Sequence, residues 1–165
     1  MAGNYQQEDI IQKIFSFLEL LPIPTQFSKI NTETFLPGIK IDKGVLLVDP
    51  DKLVHPGDIL HEAGHIAVSR PEERMHLQNN VIENNESKSG EELVAMLWSY
   101  AAIMDMGLSP EIVFHKEGYK GESEWILDQY RSQNFIGLPL LQWMGLTYTD
   151  TETLQFPKMK KWLRT

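Results

Sequence analysis

The 165-residue sequence contains no cysteine. That excludes a disulfide scaffold, a thiolate nucleophile, Cys-ligated zinc and a cysteine-held iron–sulfur cluster. It also has no run of 18 apolar residues, so it predicts no membrane-spanning helix. Residues Met1 to Asp9 show no basic stretch followed by an apolar one, and position 2 is not glycine. The expectation is a cytoplasmic protein without a signal peptide or myristoyl anchor. Positive charge is scarce: 15 basic residues stand against 23 acidic ones, a net charge of -8. Such a field repels polyanions, so nucleic acid is not expected as a partner.

What is present is ordinary globular composition, 42% hydrophobic and 23% charged. It suits one domain over residues 1–165, large enough to hold a core without cross-links. Charge is unevenly placed. Residues 151–165 carry Lys158, Lys160, Lys161 and Arg164 against Glu152, and the basic tail, about 157–165, reads as a solvated terminal segment.

Periodicity gives the organisation. Ile10, Ile11, Ile14, Phe15, Leu18 and Leu21 share a helical face over residues 6–21, ended by Pro22 and Pro24. Residues 38–48 read as a hairpin, with turn chemistry at Asp42-Lys43-Gly44 before the apolar strand Val45–Val48. A second helix is expected from near Pro56 to about Ser69, with Asp58 suiting its N-terminus. Residues 70–90 read as a polar loop, or as a loop around the short apolar Val81-Ile82. A third helix, apolar nearly all round, runs from near Ser89 to about Met106. Residues 114–121 read as a Gly-bearing loop, 122–133 as a helix and Pro139–Met144 as a short one. The four tryptophans read as core or interface residues. The class is α+β, mainly helical, with a small sheet packed on the second helix.

That second helix carries the chemistry: His61-Glu62-Ala63-Gly64-His65. Residues four apart share a helical face, so both imidazoles can meet at one metal ion. Glu62 lies about 100° further round, able to reach a water without acting as a ligand. A third ligand is needed. The pattern with Gly at 68 and His at 71 is excluded by Val68 and Pro71. His55, His76 and His115 read as loop or surface residues. Glu91 and Glu92, at the mouth of the third helix, are better placed. Glu92 is preferred, because Ala95 one turn on admits a close neighbour, although Ser89 and Glu92 also form a capping-box pattern. Two histidines and a carboxylate suit iron(II) as well as zinc; the intervening Glu62 favours zinc.

His61-Glu62-x-x-His65 with Glu92-x-x-Ala95 resembles the zincin-like metallopeptidases of the gluzincin group, over about residues 39–105. Those proteins often carry Asp four residues after the ligand glutamate, as a partner of a ligand histidine; position 96 here is Met. The resemblance implies a minimal, single-domain zinc peptidase acting on a peptide or protein. His61, His65 and Glu92 would hold Zn2+, and Glu62 would be the catalytic base. The strand Val45–Val48 would hold an extended peptide by main-chain pairing. His115, Tyr119 or Tyr100 would supply an oxyanion donor. Asp58, one turn before His61, would serve as a partner of a ligand histidine. A non-catalytic zinc-binding regulatory module is the alternative.

Overall fold

A computed structural model describes residues 2–78 and 89–165. It is α+β. Helix α1 (Ala2–Leu20) is followed by strands β1 (Thr25–Phe27), β2 (Ile39–Asp42) and β3 (Val45–Val48). Then come α2 (Gly57–Val68), the single turn α3 (Pro71–Arg74), α4 (Ser89–Asp105), α5 (Ser123–Arg131) and α6 (Leu138–Trp143), with short 3-10 turns at Pro110–Ile112 and Tyr119–Gly121. Helix α1 begins four residues earlier than the apolar stripe indicates. The expected loop 70–90 is helical over Pro71–Arg74. The reading of Val81-Ile82 as part of that loop lies outside the described residues.

The hairpin forms as its residues dictate. Lys43 and Gly44 both take positive φ, 50° and 77°, which is the backbone of a two-residue turn whose twist matches its strands. A side chain at Gly44 would also strike the Arg74 carbonyl, 2.4 Å away. Ile39, Ile41, Leu46 and Val48 alternate onto the buried face, and β2 and β3 both pack on α2. The sheet is mixed, in the order β1-β3-β2. β3 is antiparallel to β2 and parallel to β1, with Thr25 opposite Leu46 and Phe27 opposite Val48. It is therefore the central strand. Both rows of its backbone groups are taken, which overturns its expected role in pairing with a peptide. Past β3, the Asp49 carboxylate accepts from the Ile30 and Asp51 N–H groups, at 2.9 and 3.1 Å, and ends the strand.

Helix α4 is the core. Val94 to Ala102 are buried on every side, and Gly107 at φ 69° closes the helix. Its main partner is α2. The contact is close because both sides are small: a side chain at Gly64 would meet the Ala95 carbonyl oxygen at 2.8 Å.

The basic tail is not a solvated segment. A helix leaves its last four carbonyls unpaired, and those of α2 are all satisfied. Ser69 Oγ donates to His65 O at 2.7 Å and Arg74 Nε to Ile66 O at 3.2 Å. From the tail, the Arg164 N–H donates to Ala67 O at 2.9 Å and its Nη1 to Val68 O at 3.3 Å. Two guanidinium groups at this end also suit the helix dipole. The tail is held further by Trp98 Nε1, which donates to Trp162 O at 2.9 Å, and by the Lys160–Glu152 ion pair. Trp98 is fully buried, whereas Trp125 and Trp143 are exposed. No described helix is long and apolar enough to cross a membrane.

Candidate metal centre

The α2–α4 contact sets two histidines of one helix against a glutamate at the start of the other. His61 and His65 are one turn apart, and their Nε2 atoms are 3.3 Å from each other. Glu92 reaches both: Oε1 lies 3.2 Å from His61 Nε2 and Oε2 lies 2.9 Å from His65 Nε2. A tetrahedral zinc ion with bonds near 2.0–2.1 Å holds its ligand atoms about 3.3 Å apart. The three side chains therefore form a group that can hold a metal ion. Glu91, its neighbour, is exposed. Both oxygens of Glu92 lie against the histidines; the Ser89 side chain of the capping-box reading lies outside the described residues.

Electrostatics within the cluster are those of ligands that share protons. Desolvation pushes the Glu92 carboxyl up, but hydrogen bonds and charge from His61 and His65 outweigh it and hold the group well below the usual carboxylate range. Desolvation works against a proton on His61, yet Glu92, with Glu62 and Asp58 behind it, raises its pKa overall. Glu62 is not a member of the ligand group. It is buried on α2, and its Oε2 has no hydrogen-bond partner among the described residues. A buried carboxylate oxygen left without a donor is costly, and a water or a substrate N–H beside the metal face would satisfy it.

The remaining candidates divide. The Tyr119 hydroxyl lies 2.9 Å from His61 Nδ1, on the ring edge away from Glu92. Burial pushes the Tyr119 hydroxyl well up, so it stays protonated. Tyr119 is thus a hydrogen-bond partner of His61. Asp58 is not such a partner. Its Oδ1 is 2.7 Å from His115 Nε2, and the His115 ring stacks on His55, centroids 3.6 Å apart. His55 Nε2 meets Glu117 Oε2 at 2.6 Å. His115 Nε2 is thus taken by Asp58, and its Nδ1 is buried with no hydrogen-bond partner among the described residues. Tyr100 is buried among Phe114, Tyr130, Phe135 and Phe156, and His76 is exposed.

Gly57 explains how segment 110–121 meets α2. A side chain there would overlap the Ile112 carbonyl, 1.9 Å away, so only glycine lets the turn at Pro110–Ile112 lie against the start of the helix. Compared with protein-family models, curated proteins and solved structures, the chain matches none.

Proposed function

We propose that this protein is a zinc-dependent hydrolase, a small cytoplasmic metallopeptidase with a zincin-like arrangement of α2 and α4. One observation carries the reading: the Nε2 atoms of His61 and His65 lie 3.3 Å apart and 3.2 and 2.9 Å from the two Glu92 oxygens, while the glutamate between the two histidines is left out of the group with a buried oxygen that has no partner among the described residues. A purely structural site has no use for that glutamate. The resemblance of His61-Glu62-x-x-His65 and Glu92 to the gluzincins supports the same assignment.

His61, His65 and Glu92 would hold the metal. Bound zinc supplies Lewis-acid polarisation of a carbonyl and an acidified water. Glu62 accepts the proton of the attacking water and returns it to the leaving amine. Glu92 is about one-third exposed, the two histidines far less, so substrate approaches from the α4 side. β3 is internal to the sheet, so a peptide is held by other means than pairing with it. That same observation favours the second reading, a zinc-holding regulatory module, since the strand expected to grip a substrate is occupied.

Glu62→Gln separates the two. The amide is close to isosteric, so fold and zinc content should be retained. It accepts no proton at neutral pH, so cleavage in a peptide-library digest should fall by roughly 10²–10⁴-fold. Equal cleavage by the variant removes Glu62 from the mechanism. Zinc-loaded wild type that cleaves nothing in the library favours the module.

A further inference from the structure

The Nδ1 edge of His61 faces Tyr119, whose Oη lies 2.9 Å from that nitrogen. A metal ion taken up by Nε2 uses the lone pair of that atom, so the neutral ring then carries its proton on Nδ1 and donates it to Tyr119 Oη. An imidazole with its proton on Nδ1 has its lone pair on Nε2, the atom that faces His65 and Glu92.

We propose that Tyr119 is the positioning residue that fixes the tautomer and ring orientation of His61 for metal binding. This rests on the metal-centre reading above. The role is vacant otherwise: Met96, one turn past Glu92, is buried and offers only a weak thioether acceptor. The segment bearing Tyr119 is built to deliver it. Tyr119 and Lys120 both take left-handed backbone, φ 52° and 56°, which non-glycine residues avoid. Such conformations persist where surroundings over-determine them. Here the segment is tied to residues 55–61 three times: Glu117 to His55, His115 to Asp58 and Tyr119 to His61. The Tyr119 ring also stacks on Phe114, centroids 5.2 Å apart, so loss of the hydroxyl alone leaves it seated.

The test compares Tyr119→Phe with wild type by zinc titration against a competing chelator, and by the NMR signal of the His61 Nδ1–H proton in the zinc-loaded proteins. The expected result is a 10–100-fold loss of zinc affinity, typical for removing such a partner, and an Nδ1–H signal that loses its hydrogen-bonded shift. The melting temperature of the metal-free variant should stay close to wild type. Equal affinity in the two proteins overturns the inference and leaves the metal centre standing. An affinity loss with an unchanged Nδ1–H signal also overturns it, because the effect is then not transmitted through His61. If wild type itself binds no zinc, the metal reading fails and takes this inference with it.

Discussion

His61 with His65, and His55 with His115, are both imidazole pairs in ring contact near α2. In the first pair the rings stand edge-on, at 86° with centroids 4.9 Å apart, and their Nε2 atoms converge on one carboxylate. In the second the rings lie face to face at 12°, and each Nε2 goes to its own carboxylate, Glu117 or Asp58. The two clusters have nearly the same composition. What differs is whether the lone pairs share a point. Among the described residues, the group of His, Asp and Glu side chains whose ligand atoms lie close enough together for one metal ion is His61, His65 and Glu92. The i, i+4 spacing on one helix forces that convergence, whereas stacking of loop histidines does not.

The largest expected effect breaks the comparison outright. His61→Ala or His65→Ala should abolish zinc binding and with it the zinc-induced rise in melting temperature. That rise corresponds to about 4 kcal/mol at a thousandfold excess over Kd. His55→Ala should leave zinc binding within a few-fold of wild type. Thermal shift with and without zinc reads both, and a zinc loss in the His55 variant would make the second cluster part of the centre.

Glu92→Ala against Glu91→Ala sharpens the carboxylate side. Glu92→Ala should lower zinc affinity far more than Glu91→Ala, whose side chain is exposed. Any capping role of Glu92 adds about 1 kcal/mol of metal-free destabilisation, which zinc-free melts measure separately. Loss of zinc in the Glu91 variant alone would reverse the assignment.

The smallest effect is a pH dependence. In the metal-free protein, the folded-state pKa of His61 lies above its ordinary 6.5 and that of Glu92 lies below its ordinary 4.5. The His61 contribution is therefore complete below 6.5 and is lost as pH rises through the folded value. The Glu92 contribution is complete above 4.5 and is lost as pH falls. Metal-free stability from this cluster should peak between these two values and decline toward alkaline pH. Zinc requires unprotonated imidazole nitrogens, so its affinity should rise over the same range. Melting curves of both forms from pH 5 to 8 should diverge with pH; parallel curves would contradict the shared-proton picture.

Much of this was legible in the sequence, and the boundary has a physical cause. The hairpin, α2, α4 and the His61–His65 pair rest on short spacings, where neighbours in sequence are neighbours in space. β1 was missed because three residues after Pro24 carry no periodicity of their own; they are a strand only because β3 pairs with them in parallel. That non-local pairing is also why β3 was misjudged as a docking edge. The tail was misjudged because counting Lys158, Lys160, Lys161 and Arg164 registers charge but not the α2 carbonyls that Arg164 meets. Tyr119 and Asp58 were singled out near the site, but their partners depend on how segment 110–121 lies against Gly57, which no local pattern encodes.

The central claim is that His61, His65 and Glu92 form one metal centre, and direct metal analysis tests it. Wild-type protein, stripped and then titrated with zinc under native mass spectrometry, should take up one ion per chain, with His61→Ala taking up none. A wild-type protein that retains no zinc, and whose melting temperature zinc leaves unchanged, would contradict it.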